Sequence, residues 1–423
     1  MIKTVTLQNG IRLVMEPMPN LRTVSFGVWV KVGSANETEE NNGISHVIEH
    51  CLFKGTKTRS AKQLADEISS IGDQLNAFTG KECTAFYGVT LTEYLPKLIE
   101  LLGDMLQNST FEEEPLKKEL GVILEEIDMY DDSPEDLVHE LLQKGVWEDH
   151  PLGYIISGEK SVVSAMTKEQ ILAYMKQYYC GSNMVVSIAG NFEEESVISC
   201  LKEHFLSIPE FGEGTATVQP LEPPAFHRCT CERKKDVEQL YMNLAFETIP
   251  ETDDLRHVQI MVNALLGGSN NSRLFQTIRE ELGLAYSVYS YSSLYRAAGL
   301  FHIDVIVNPS NAVTVYEKLK EILREFSENP IDETERRALY TQLRTEMIMG
   351  SESARNRMEQ NAKSLLMHGR VVPLEETIEK LSEVTTEEMQ AFAAKYLNMD
   401  RCSLCLVGEI SGEAKDVKKH WKS

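Results

Sequence analysis

Residues 43 to 56 read GISHVIEHCLFKGT and place His46, Glu49 and His50 within one short segment. Ile44, Val47, Ile48, Cys51 and Leu52 recur at helical spacing, and Gly55 follows as a stop signal. On such a helix His46 and His50 are i and i+4, one above the other on one face. Two imidazoles so placed can bind one zinc ion, and a neighbouring carboxylate can serve as a base towards a water molecule. The order His-x-x-Glu-His reverses the better-known His-Glu-x-x-His. Zinc also needs a third protein ligand, with a fourth position left for water. The segment EEEPLKKELGVILEEIDMYDDSP offers candidates. Leu116, Leu120, Ile123, Leu124 and Ile127 give it an apolar stripe, and Glu119 and Glu126 lie seven apart, two turns along one helical face. The residues alone leave Glu119, Glu125 and Glu126 open as the third ligand. His139 and His150 are weaker rivals, and a solvated acidic face is the plain alternative.

The elements that must position these groups come in two sets. The chain has 423 residues, more than one ordinary domain. Hydrophobic content of 42% and charged content of 25% are globular values. Residues 209 to 224, PEFGEGTATVQPLEPP, hold Pro, Gly and acidic residues with no hydrophobic period, and read as a linker. The halves it separates echo each other. TKEQILAYMKQYYCGSNMVVSIAGN from Thr167 aligns without gaps with TTEEMQAFAAKYLNMDRCSLCLVGE from Thr385. Each copy predicts a capped amphipathic helix followed by a buried strand. NAFTGKECTAFYGVTLTEYLPKLIELL from Asn76 has a looser counterpart from Ser287, each two alternating strands and then a helix. The expected fold is α+β: two homologous domains, 1–213 and 225–423, each a mostly antiparallel sheet packed with helices. Asn9-Gly10 marks a hairpin at the start.

The bulk properties narrow the partners. A net charge of −23 argues against nucleic-acid binding, which needs basic patches. It suits solubility first, and basic peptides second. No apolar run reaches the roughly 18 residues of a membrane span, and the first residues lack the apolar stretch of a signal peptide, so a cytoplasmic protein is expected. Eight cysteines in a chain this long are not a disulfide scaffold. Cys229-Thr-Cys231 and Cys402-Ser-Leu-Cys405 call for a metal or redox check. The second lies in a strand-like run, where side chains three apart point to opposite faces, so a structural role is expected.

With the motif and its spacing, the chain resembles the pitrilysin-type (inverzincin) zinc peptidases. It is most similar to their two-domain branch, which includes mitochondrial processing peptidase and related bacterial peptidases. In that family a ligand glutamate follows the motif after about 76 residues, within a run like LEEI. From His50 this lands on Glu126, in Leu124-Glu125-Glu126-Ile127. The resemblance implies His46, His50 and Glu126 as ligands of one zinc ion per chain. It implies Glu49 as the base and Glu119 as a supporting acid. Asn76, Ala77, Phe78 and Thr79 resemble the family's edge strand, to which an extended peptide adds by main-chain hydrogen bonds. GGSNNSRLFQTIREELGLAYSVYS resembles the segment carrying an Arg and a Tyr seven apart, here Arg279 and Tyr286. In the family these steady the tetrahedral intermediate. HPLGYIISG from His150 also looks familial and structural.

The resemblance further implies a chamber of four such domains, hence a homodimer acting on short or unfolded peptides. Arg279 and Tyr286 would then serve the partner's zinc site. Some members of the family are non-catalytic or partner-dependent subunits with a degraded motif; here the motif is intact. In the second half, the helix before Gly268 sets Gln259, Val262 and Asn263 opposite His46, Glu49 and His50, so that half is expected to hold no metal.

Overall fold

Asn9-Gly10 turns the chain between strands β1 (Lys3–Thr6) and β2 (Arg12–Pro17), which pair antiparallel, with Gly10 at φ +82°. The hairpin read from the sequence is therefore present. The computed structural model describes residues 2–213 and 218–422; residues 214–217 of the expected linker lie outside the described residues. Four more strands complete the first sheet: β3 (Thr23–Val30), β4 (Leu75–Thr79), β5 (Thr84–Leu91) and β6 (Met184–Gly190). Their order is β1-β2-β6-β3-β5-β4, antiparallel throughout except for the β2–β6 pair. The second sheet holds β7 (Thr230–Lys234), β8 (Leu240–Thr248), β9 (Ala285–Leu294), β10 (Gly299–Val307) and β11 (Ser403–Gly408). Its order is β7-β11-β8-β10-β9, with only β7–β11 parallel. The two orders superimpose strand for strand from β2 and β7 onwards, so the fold is two copies of one sheet-plus-helix unit.

The repeat seen in the sequence is physical. Thr167 caps the helix Lys168–Tyr178 and Thr385 caps Thr386–Tyr396, each in a capping box with the residue three along. Each helix leads into a fully buried strand, β6 or β11, ending in Gly190 or Gly408 at φ +128° and +125°. A Cβ at Gly190 would lie 2.5 Å from the carbonyl oxygen of Thr23, and one at Gly408 2.3 Å from that of Gln239. Glycine is required at both places by dihedral and by contact.

The compact units depart from the linear segments in one respect. The first comprises Met1–Asp128, Tyr154–Gln219 and Ile348–Val372; the second comprises Met129–Gly153, Pro220–Met347 and Pro373–Ser423. Each thus takes a helix from the other half. The helix Ala354–His368 covers one face of the first sheet, placing Met358, Ala362 and Leu365 on Val14, Trp29, Ala85 and Val185. Arg357 and Asn361 on it bond Glu16 of β2, at 2.9 and 2.6 Å. In the second unit the helix Pro134–Trp147 packs on β7, β8 and β11. This exchange buries both faces of the central strands, which explains why β3, β6 and β11 are almost wholly buried. No helix among the described residues is long and apolar enough to cross a membrane.

Candidate metal centre

The helix Ile44–Cys51 buries Ile44, Val47, Ile48 and Cys51 in the first unit's core, which turns His46, Glu49 and His50 towards its other side. Its N-cap is Gly43 at φ +96°, a residue with no side chain to cap with. Glu37 supplies the cap from outside the helix. Its carboxylate accepts the N–H of Gly43 at 2.7 Å, the N–H of Ser45 at 2.9 Å and the Asn42 amide at 2.9 Å. The Ser45 hydroxyl in turn meets Tyr174 OH at 3.1 Å. Glu37 is buried, and burial raises its pKa although all these donors act to lower it.

The helix Glu113–Asp132 brings the carboxylates. Glu126 Oε2 lies 3.8 Å from His46 Nε2 and 3.4 Å from His50 Nε2. Ligand atoms of the three residues all lie within 4.8 Å of one another, and among the described residues no other set of three His, Cys, Asp or Glu does so. Atoms bound about 2.1 Å from a tetrahedral ion sit about 3.4 Å apart, so this donor set fits zinc. Burial, with His50 adding, lowers the pKa of His46 to about 4 and keeps its imidazole neutral, the form that binds metal. Glu119, one heptad before Glu126, takes a different place. It is buried, accepts from His50 Nδ1 at 2.9 Å and pairs with Lys54 at 2.8 Å. A carboxylate on Nδ1 fixes the tautomer and leaves the Nε2 lone pair facing Glu126. Glu125 is exposed. Of the three glutamates the sequence left open, Glu126 is the one beside both imidazole Nε2 atoms, Glu119 meets His50 Nδ1 and Glu125 faces away.

Glu49 stands beside the cluster and receives a hydrogen bond from Thr79 Oγ1. Its pKa is raised: burial and then Glu126 push it up, against the Thr79 hydroxyl and His50. A carboxyl group so placed holds its proton more readily than an exposed one. Thr79 ends β4, the outermost strand of the first sheet, which pairs with β5 from Leu75↔Gly88 to Thr79↔Thr84. Asn76 and Phe78 are exposed, and the Ala77 N–H is met by the side-chain oxygen of its neighbour Asn76 at 2.8 Å. An edge amide held only by an adjacent side chain can accept an added strand. The expected edge strand thus lies against the expected base.

Two stretches of this sequence match one known family. Residues 12–160 match insulinase (peptidase family M16) and residues 165–343 match the peptidase M16 inactive domain. An uncharacterized zinc protease of Bacillus subtilis is 38% identical over 95% of this chain and 97% of its own length. One from Streptomyces coelicolor is 34% identical over 97% and 90%. The chain belongs to peptidase family M16. Two solved structures share the fold at low identity. A protease from Helicobacter pylori gives a TM-score of 0.90 at 21% identity, covering 97% of this chain and 99% of that one. An M16 inactive domain from Pseudomonas fluorescens gives 0.90 at 19%, covering 98% and 99%.

The second M16 unit has the helix but not the ligands. Gln259 on Arg256–Leu266 accepts from Thr248 Oγ1 at 3.1 Å and donates to Ser292 at 2.8 Å. Asn263 accepts from the Ser290 hydroxyl at 2.8 Å. Val262, at the position opposite Glu49, is buried. Arg279 and Tyr286 also belong to this unit. Arg279 lies on the π-helical turn Phe275–Glu281, over the Phe275 ring at 4.7 Å, and Tyr286 on β9 is 72% exposed. His139 joins Tyr291 and Asn243 in the second unit, and His150 meets the Glu222 carbonyl, so neither belongs to the cluster. Sequence reasoning missed Glu37 and Lys54. For Glu37 the sole hint is the run Glu37-Thr38-Glu39-Glu40 before Asn42-Gly43, which does not say which acid turns inward.

Proposed function

We propose that this chain is a zinc-dependent endopeptidase that hydrolyses short or unfolded peptides. The observation that carries the reading is the convergence of His46, His50 and Glu126, with Glu49 beside them and the edge strand β4 hydrogen-bonded to Glu49. His46, His50 and Glu126 would hold the ion, one per chain. Zinc, when bound, supplies a Lewis acid for the scissile carbonyl and makes a water easier to deprotonate. Glu49 takes the proton of that water and later gives it to the leaving amine. Glu119 holds His50 in orientation through Nδ1. The peptide lies as an added strand on Asn76 to Thr79, its main chain meeting the outward amide of Ala77. Arg279 and Tyr286, exposed on the second unit, stabilise the developing oxyanion of a partner chain's site, so the active form is a homodimer. Relatives called zinc proteases support the reaction class.

The test is digestion of a mixed pool of unfolded peptides, read by mass spectrometry, with wild type beside Glu49→Gln and with zinc content measured in both. Cuts that a chelator abolishes, and that Glu49→Gln loses while keeping zinc, are expected. Zinc-loaded wild type that cuts nothing would overturn the peptidase reading. Equal cutting by the variant would remove Glu49 from the base role.

A further inference from the structure

The second unit brings the first cysteine pair of the sequence together with one member of the second. Cys229, just before the β7 strand, and Cys231 on it are two apart, with their sulfurs 4.0 Å apart. β11 runs parallel beside β7 and its register sets Cys405 directly opposite Cys231, near enough for the Cys405 thiol to affect the ionisation of Cys231. Cys402, three residues before Cys405, faces away, and its carbonyl accepts the Trp421 indole N–H. The helix Pro134–Trp147 lies over the cluster. Cys231 donates to the Leu141 carbonyl at 3.4 Å. At Gly145 a Cβ would come within 2.7 Å of the Cys231 sulfur and 2.9 Å of the Cys229 sulfur. Glycine there gives the space to sulfur. Cys405 is fully buried, while Cys229 and Cys231 are half-buried and reachable by a small oxidant.

We propose that Cys231 and Cys405 are a two-electron redox pair that closes to a disulfide across β7 and β11. Directly opposed residues on adjacent strands have Cα atoms about 4.8 Å apart, inside the range a disulfide spans. Cys229 and Cys231, two apart along the chain as it enters β7, are separated by about 6.6 Å, at the upper limit. The oxidant is a peroxide. It takes the Cys231 thiolate to the sulfenic acid and leaves as water. The Cys405 sulfur then attacks that sulfur, the S–S bond forms, and a second water departs. Two thiols and one peroxide thus give one disulfide and two waters, and a dithiol reductant reverses the step. The Cys231 thiol is slow to ionise: Cys229 pulls its pKa down, but Cys405 and burial outweigh that and push it up to about 11. The reaction therefore quickens as pH rises. Closure fastens the edge strand β7 to its neighbour and draws the Cys231 sulfur away from the Leu141 carbonyl.

The full-length reduced protein would be treated with hydrogen peroxide near neutral pH and again near pH 9, alkylated, digested without reductant and mapped by mass spectrometry. A peptide pair joining Cys231 to Cys405, lighter by two hydrogens, more abundant at the higher pH and reopened by dithiothreitol, is expected. Cys229→Ser should keep the link, and Cys231→Ser and Cys405→Ser should each lose it. A link between Cys229 and Cys231 instead would overturn the assignment. So would Cys231 and Cys405 both remaining alkylatable, or passing to sulfinic acid without cross-linking.

Discussion

Glu37 caps the helix of His46 and His50 without belonging to it, and its removal has a calculable cost. In Glu37→Ala the N–H groups of Gly43 and Ser45 lose their acceptor, while Asn42 keeps the Ile155 carbonyl at 3.0 Å. Both amides are at the start of the helix, where no intrahelical partner exists. A buried donor left unsatisfied costs about 1–3 kcal/mol, and an ordinary N-cap loss about 1 kcal/mol. Two amides therefore cost about 2–6 kcal/mol. Burying the carboxylate is itself unfavourable, as its raised pKa shows, so a net loss of about 2 kcal/mol is the expected figure. That corresponds to about 30-fold in a local opening equilibrium. The assay is native-state hydrogen exchange on the peptide spanning residues 37–52, beside a zinc competition titration. Protection in the first turn should fall about 30-fold, zinc affinity should weaken in the same direction, and kcat should fall more than KM rises. Glu37→Gln should give a similar loss, because its amide nitrogen would face one of the two N–H donors. Unchanged protection and unchanged zinc binding in Glu37→Ala would refute the capping argument.

Glu119→Gln takes the charged acceptor from His50 Nδ1 and the partner from Lys54. Zinc affinity should drop about 10–100-fold, read by chelator competition; full affinity would show that His50 needs no help. Asp304 makes the pH prediction. It lies in the second unit with Asn243 at 2.7 Å and His139 Nε2 at 3.6 Å, and one carboxylate oxygen has no partner among the described residues. Burial pushes its pKa from 3.8 up to about 8; Asn243 acts to lower it and Glu135 to raise it. A raised acid keeps its proton in the folded state after the unfolded chain has released it. Stability is then lost as pH climbs from about 4 to about 8 and is level above that. Asp304→Asn should stabilise the protein more at pH 8 than at pH 5 in chemical denaturation. A gain that does not change with pH would mean that Asp304 is ionised and paired with His139.

What was legible in the sequence depended on how locally it was encoded. The helix of His46 and His50 followed from the spacing of Ile44, Val47, Ile48 and Cys51, all of which are buried. The repeated cap-helix-strand followed from Thr167 and Thr385, whose capping boxes need only four residues each. The position of Glu113–Asp132 along its axis relative to the helix of His46 and His50 was not legible, because Glu119 and Glu126 share a face and nothing local says which meets an imidazole Nε2. Glu37 was hidden because its partners are reached through a loop. The exchange of Pro134–Trp147 and Ala354–His368 between units was hidden for a stronger reason. A helix's apolar stripe says that it packs, not on which sheet, and both outer sheet faces are open to one helix.

The same helix position in the two units shows why one fits a cation and the other does not. In the second unit Gln259 and Asn263 are amides, able both to donate and to accept, and hydroxyls of Thr248, Ser292 and Ser290 complete them. The polar groups there satisfy one another. In the first unit the His50 Nδ1–H is directed to Glu119, which leaves an Nε2 lone pair 3.4 Å from the carboxylate of Glu126. Acceptor faces acceptor, and a second Nε2, that of His46, lies 3.8 Å from the same oxygen. Such a set is costly to bury unless a positive charge sits between its members, and its ligand atoms, all within 4.8 Å of one another, leave room for an ion of zinc's size. Replacing His46 by Gln and His50 by Asn takes both imidazole lone pairs from the cluster, and is expected to abolish zinc binding in a chelator competition. The reverse exchange in the second unit would add His side chains but no Glu126, and is expected to bind zinc weakly.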